Sequence, residues 1–253
     1  MSEEIKTFVI FLIGIISAYF WGFVSGGISV LSIWLMTILG ISPQMAGITF
    51  KLGKIGNSLA GVKNFHKEWL IRKEYLIWLG FAMMMGGALG SFFIMSIPDH
   101  IMYAVSGFSM LVLVIVALAK KVWNTRNITL TKKRIWWWYV SYFILSVFWN
   151  LFPAWSGIWY YFANTFIMKL STLEWKATGN TVAIFWFIGT AIGIFSQGSY
   201  HILYAIGLAL GMYIWGYFAT KHMLKIGEHS TRNILLVGIT LFALYFLYLA
   251  FAL

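Results

Sequence analysis

Two lysines lie inside an otherwise uncharged, largely apolar stretch, and they are the side chains best placed for chemistry. Lys51 and Lys54 fall within Met45–Val62, which contains no other charged residue. Their spacing of three residues places them on one face of a helix, and Asn57 extends that face by another turn. A lysine deep in a bilayer costs at least about 2.5–3.5 kcal/mol, so it normally faces a cavity or a partner. These residues predict a cationic site in which Lys51, one turn deeper, makes the main charge contact and Lys54 a lesser one; the alternative is that their stems reach the membrane interface.

No acidic side chain is placed to neutralise these two lysines. None of the seven acids falls within an apolar segment: they are Glu3, Glu4, Glu68, Glu74, Asp99, Glu174 and Glu228. An intramembrane cation without a carboxylate partner indicates that the missing partner is an anionic substrate.

Metal and thiol chemistry find little support in the sequence. The chain has no cysteine, which excludes disulfides, thiolate metal sites and cysteine nucleophiles. The five histidines all lie in or beside polar breaks. None lies in the middle of a predicted helix, where a haem or metal ligand is expected. We therefore predict neither a metal site nor a cofactor.

The elements that position the lysines follow from composition. Of 253 residues, 61% are hydrophobic and only 10% are charged, and the mean hydropathy is +0.83. Soluble domains carry about 25% charged residues, and a membrane-crossing helix needs roughly 20 apolar residues. The sequence therefore predicts an all-α, polytopic membrane protein.

Polar stretches divide the chain into two sets of five apolar segments around a basic linker at Lys120–Arg134. The first set lies at Thr7–Val24, Ile28–Leu39, Met45–Val62, Tyr75–Met95 and Ile101–Ala119. The second set lies at Ile135–Phe152, Ser156–Met168, Ala177–Phe195, Ile202–Thr220 and Asn233–Leu253. We assign residues 1–124 to a first transmembrane repeat and residues 125–253 to a second.

Loop charges orient these segments. Lys and Arg concentrate in the loop after Met45–Val62, in the linker and in Lys221–Arg232, and basic loops stay in the cytoplasm. Alternation then places both termini outside. An odd number of segments per half makes the two repeats inverted, which is typical of secondary transporters.

The two halves align at a spacing of 129 residues, which pairs Ser42 with Ser171 and Thr49 with Thr178. The same spacing pairs Lys51 with Asn180, a donor amide from the opposite half.

Two segments are too short to span a membrane. Ile28–Leu39 has 12 residues and Ser156–Met168 has 13, and they follow breaks at Ser25–Gly27 and Pro153–Gly157. Paired short segments with Gly or Pro breaks indicate a transporter's binding site, because a helix that begins within the membrane presents unpaired N–H groups to an anion. The alternative is ordinary packing through small residues.

Aromatic residues surround the second break, from Phe148 to Asn164, and this run includes Trp155 and Ser156. They either line a cavity or replace small packing residues with bulky ones; we favour the cavity.

The stretch SGGISVLSIWLMTILGISPQMAGITFKLGKIGNSLAG (Ser25–Gly61) and the later GFAMMMGGALGS (Gly80–Ser91) resemble the sulfite exporter TauE/SafE family, also called the 4-toluene sulfonate uptake permeases. The second half repeats the pattern as STLEWKATGNT and GLALGMYIWG. The resemblance implies transport of sulfite, sulfonates or sulfoacetate. It assigns substrate contacts to matching positions, which are Ser25, Gly26, Gly27, Thr49, Lys51, Thr178 and Asn180. The second break departs from the family pattern, since WSGIWYYF replaces a glycine-rich run.

We therefore predict a non-enzymatic secondary transporter or facilitator for small anions in the cell membrane. The alternative is a channel-like or carrier protein for a carboxylate or a neutral metabolite. A membrane-embedded enzyme would need a polar catalytic cluster that the sequence lacks. The net charge of +11 is explained by topology and does not predict nucleic-acid binding. The expected partners are a small anion and the lipid bilayer, with a homodimer left open.

Overall fold

The computed structural model describes residues 2–23, 28–68, 70–71, 73–93, 108, 111, 131–151, 159–160, 163–168, 170–198 and 200–252. Within these ranges all regular structure is helical and no strand is found, which confirms the all-α class. The predicted breaks at Ser25–Gly27 and Pro153–Gly157, and nearly all of the segment Ile101–Ala119, lie outside the described residues.

The described part of the chain forms eight α-helices. They are α1 (Glu3–Phe23), α2 (Ile28–Ile38), α3 (Pro43–Gly53), α4 (Ile55–Lys67), α5 (Leu76–Ser91), α6 (Lys132–Leu151), α7 (Thr172–Ser196) and α8 (Ile202–Ala252). A 3₁₀ turn at Lys73–Tyr75 precedes α5, and a π-helical turn at Ala163–Ile167 lies between α6 and α7.

Two stretches among the described residues are long and apolar enough to cross a membrane by themselves. They are α7, with 25 residues, and the first part of α8, Ile202–Gly227, with 26 residues. The total of ten segments stays a prediction.

Serine caps fix where two helices begin. Ser42 caps α3 by accepting a hydrogen bond from the backbone N–H of Met45, at 3.4 Å. Ser171 caps α7, and Glu174 bonds back to the Ser171 backbone N–H to complete a capping box. Because of these caps both helices start earlier than hydropathy alone indicates, and α7 begins at Thr172 instead of Ala177.

The polar stretch Lys221–Arg232, expected to separate two segments, is instead helical apart from one residue. Gly227 interrupts α8 with φ 79° and ψ −179°, a conformation open essentially only to glycine. The flanking Lys, His, Met and Leu side chains are all tolerated within helices, so polarity alone does not end the helix.

Helices α1 and α4 pack on the first part of α8, and all three run in the same direction. The Tyr204 hydroxyl bonds to Glu3 at the start of α1, and Met212 lies against Gly14 further along. Between α4 and α8, Asn64 donates to the carbonyl of Tyr217 at 2.9 Å.

Helices α6 and α7 pack on α5 in the same manner, again with parallel directions. Gly80 lies against Phe185 near the start of α5, and Ser91 lies against Gly193 at its end. The two groups of helices are antiparallel to each other. Asn180 in α7 lies against Gly61 in α4, whereas the later Ile194 shares a buried cluster with the earlier Leu52 of α3.

Candidate functional site

A cavity lies where the two groups of helices meet, with about 480 Å³ of empty space counted out to its open side. Helices α5, α6 and α7 contribute to its lining, as does Lys54 from the link between α3 and α4. Among the described residues that line it there are two lysines, Lys54 and Lys176, and no carboxylate. The charged residues among its described lining are therefore all basic.

Lys54 reaches the cavity from the junction of α3 and α4. Its backbone N–H donates to the carbonyl of Phe50 at 3.0 Å, so the chain stays nearly helical through the junction. The side chain is only 4% exposed, and its ammonium lies 3.4 Å from the centroid of the Trp149 ring. Trp149 stacks on Trp186 at 4.7 Å. A desolvated cation over an indole face gains about 2 kcal/mol, which offsets part of its cost of burial.

Helix α7 supplies the second cation and an amide. Lys176, Gly179, Asn180 and Ala183 line the cavity at positions i, i+3, i+4 and i+7, which form one face of a helix. The capping box that starts α7 at Thr172 places Lys176 inside the helix, where it is 6% exposed. It lines the same cavity as Lys54.

Aromatic rings form the remaining wall, and one buried amide holds them. The Asn164 Oδ1 accepts hydrogen bonds from Trp138 Nε1 at 3.1 Å and from the Tyr142 hydroxyl at 2.9 Å. Its Nδ2 donates to the carbonyl of Tyr160 at 2.6 Å. The rings of Tyr142 and Tyr160 meet edge to face at 4.8 Å, and Trp149 lies 5.0 Å from Tyr160. The side chains of the wall are therefore held together by both hydrogen bonds and contacts between aromatic rings.

Lys51 is buried but is not among the residues that line this cavity. Its ammonium donates to the backbone carbonyl of Asn150 at 2.8 Å, in the last described turn of α6. A hydrogen bond from a charged donor contributes about 1.5–3 kcal/mol, which offsets part of the cost of burying the Lys51 ammonium. The Asn150 amide in turn donates to the carbonyl of Gly87 and to Thr190. The structure thus gives the two neighbouring lysines different surroundings.

The other residues predicted to bind substrate also differ in whether they line the cavity. Asn180 lines the cavity, whereas Thr49, Asn57 and Thr178 are buried elsewhere in the helix packing. Asn57 lies against Gly216 of α8. The remaining candidates lie outside the described residues; they are Ser25, Gly26, Gly27, Trp155 and Ser156.

The family model for the sulfite exporter TauE/SafE matches residues 10–246 of the chain. The chain belongs to this family. No curated protein and no solved structure matches it. TauE/SafE proteins are membrane transporters of sulfite or related anions.

Two residues of the cavity and its aromatic wall were not predicted from sequence. The predicted segment Ala177–Phe195 leaves Lys176 just outside it; the Ser171–Glu174 capping box is the signal that places Lys176 within the helix. Asn164 was counted only as the end of an aromatic run, although an isolated amide among aromatic residues signals a buried hydrogen-bond centre.

Proposed function

We propose that this TauE/SafE protein is a secondary transporter or facilitator that moves small organic or sulfur-containing anions, of the sulfite, sulfonate or sulfoacetate class, across the cell membrane. The proposed binding site is the cavity lined by Lys54 and by residues of α5, α6 and α7. The observation that carries the proposal is that two buried lysines, Lys54 and Lys176, line one cavity without a carboxylate among its described lining residues.

The chemistry of the cavity matches an oxyanion. Lys54 and Lys176 line the same cavity, and an anion bound there would be attracted by the ammonium groups of both. The Asn180 amide adds a neutral donor on the same helix face. Hydrogen bonds between such charged partners contribute about 1.5–3 kcal/mol each.

The aromatic wall favours an anion that also has an apolar part. Most of the surface beyond the three donors belongs to rings and aliphatic groups, including Trp149, Trp175 and Met83. The organic group of a sulfonate would cover these surfaces, whereas bare sulfite would leave them without a partner. We therefore expect organic sulfonates to bind more tightly than sulfite itself.

We further propose that the chain consists of two inverted repeats, residues 1–124 and 125–253, with the site at their interface. Adding 129 to the residue numbers of Pro43–Lys67, which contains α3 and α4, gives the bounds of α7. Ser42 and Ser171, also 129 apart, cap the corresponding helices. The corresponding elements run in opposite directions across the site, which supports an inverted relation.

Binding to the purified protein tests the site, with a panel of sulfite, an alkyl sulfonate, an arene sulfonate, a carboxylate and a neutral isostere. We expect Lys54→Gln and Lys176→Gln each to weaken anion binding by about tenfold or more, since each removes one charged donor. Lys51→Gln is the matched control, because it removes a buried lysine on the neighbouring turn that does not line the cavity. We expect it to change affinity by a few-fold at most.

If Lys51→Gln weakens binding most, the main charge contact lies at the end of α6 and the cavity is not the site. Equal binding of the neutral isostere would instead favour a carrier for neutral metabolites, and tighter binding of the carboxylate would exclude the sulfur-containing class.

A further inference from the structure

A second concave surface lies away from the proposed transport site, between the end of α4 and the part of α8 just before Gly227. We call it the basic groove; it has about 1240 Å³ of empty space counted out to its open side. Lys67, Lys221, Lys225 and His222 line it, and Glu68 is the only carboxylate among its described lining residues. Three lysines from two helices thus face one carboxylate.

The groove is anchored by contacts between the helices that form it. Asn64 of α4 donates to the carbonyl of Tyr217 in α8. The Tyr19 hydroxyl lies 3.3 Å from His222 Nδ1 and so ties α1 to the rim. Lys63 adds a further ammonium 5.5 Å from the centroid of the Tyr217 ring. These contacts hold together the parts of α4 and α8 that carry the lysines, so the groove is formed before any ligand arrives, which lowers the cost of binding.

An exposed apolar stripe leads along α8 directly into the groove. Its members recur every three or four residues and are 43–56% exposed: Leu203, Ile206, Leu210, Ile214 and Phe218. Phe218 also lines the groove, and Lys221 and Lys225 continue the same helix face. In a membrane protein such a stripe faces acyl chains, so a hydrocarbon surface ends at a cluster of cations. A phospholipid with its headgroup at the bilayer boundary has the complementary arrangement, with acyl chains beside the stripe and a phosphate beside the lysines.

We propose that the basic groove binds the phosphate headgroup of an anionic phospholipid whose acyl chains lie along the α8 stripe. Loop-charge bias alone accounts for lysines on this side of the membrane. It does not account for their convergence from α4 and α8 around one groove, nor for the apolar stripe that leads to it. Basic pockets between transmembrane helices on the cytoplasmic side are known sites for anionic headgroups.

The experiment is lipid titration of the purified, delipidated protein, with bound lipids counted by native mass spectrometry. The probes are phosphatidylglycerol and phosphatidylethanolamine with identical acyl chains, and a third arm adds glycerol phosphate without chains. We expect phosphatidylglycerol to bind more tightly, with Lys221→Gln/Lys225→Gln losing roughly twenty-five-fold in affinity, on the basis of about fivefold per lysine near an anionic headgroup.

The matched control is Lys132→Gln/Lys133→Gln, which removes two exposed lysines at the start of α6, away from the groove. It should leave phosphatidylglycerol binding within about twofold. Equal affinity of the unmodified protein for the two lipids would overturn the proposal even if a variant failed to fold. An equal loss in both double variants would show only diffuse surface charge, and full competition by glycerol phosphate at similar concentration would assign the groove to a free anion.

Discussion

At the scale of single residues, Asn164 organises the aromatic wall of the cavity more than any of the charged groups does. Its side chain is fully buried and contacts Trp138, Tyr142 and Tyr160 through hydrogen bonds. Its own carbonyl accepts the Leu170 N–H at 3.1 Å, close to the start of α7. The amide therefore connects α6, the π-helical turn and the approach to α7, so that the shape of the site depends on it.

We expect Asn164→Leu to lower the free energy of unfolding by about 3 kcal/mol or more, because it leaves two buried donors and a buried carbonyl without partners at about 1–3 kcal/mol each. Tyr142→Phe removes one hydroxyl from the same network and should cost about 1 kcal/mol. Thermal or denaturant unfolding in detergent measures both. Equal stability of Asn164→Leu and the unmodified protein would show that the network contributes nothing to the fold.

The sequence revealed some residues of the site and not others, for physical reasons. Lys54 was detectable because a charge within an apolar stretch is rare at any position. The surroundings of Lys51 could not be detected from the sequence, because its hydrogen-bond acceptor, the Asn150 carbonyl, lies 99 residues away along the chain. The aromatic run was visible, but only tertiary packing decides that its Trp149 and Tyr160 face the cavity together with Tyr142.

At the scale of helices, close backbone approach decides how the site is enclosed. A Cβ placed on Gly56 of α4 would overlap the backbone carbonyl of Ala209 in α8. On the other side, a Cβ on Gly80 of α5 would collide with the Phe185 ring of α7. The two contacts are related by the repeat spacing of 129 residues. Gly56 of α4 corresponds to Phe185 of α7, and Gly80 of α5 corresponds to Ala209 of α8. Helix starts and periodicity were predictable from sequence, whereas this pairing depends on which helices meet.

Two glycine substitutions separate helix propensity from packing. Gly47→Ala should raise the free energy of unfolding by about 1 kcal/mol, because alanine is the better helix former and its Cβ meets no atom of the described residues within 4 Å. Gly56→Ala has the same propensity gain but should be destabilising by about 1–3 kcal/mol, since α4 must move away from Ala209. Thermal unfolding of the two variants in the same detergent tests this, and matching shifts would rule out tight packing of α4 on α8.

At the scale of the whole molecule, helix direction and charge agree. Helices α1, α4 and the first part of α8 run one way, and α5, α6 and α7 run the other. As a result lysines gather at one end of the bundle: Lys63 and Lys67 at the end of α4, Lys221 and Lys225 before Gly227, and Lys132 and Lys133 at the start of α6. The opposite end holds Glu3, whose carboxylate accepts from Tyr204 and lies 3.9 Å from His201. The positions of the basic residues and the directions of the helices therefore identify the same two ends of the molecule.

This division predicts the orientation in the membrane, with the lysine-rich end in the cytoplasm and the end that holds Glu3 outside. The chain has no cysteine, so single cysteines are unique reporters. In intact cells an impermeant thiol reagent should label Ser2→Cys, while Thr131→Cys, beside the start of α6, should react only after permeabilisation. The cysteine-free parent controls for background labelling. The reverse pattern would place the basic groove at the outer leaflet. Labelling of both sites in intact cells would contradict the inverted relation. If each half crosses the membrane an odd number of times, Ser2 and Thr131 must lie on opposite sides.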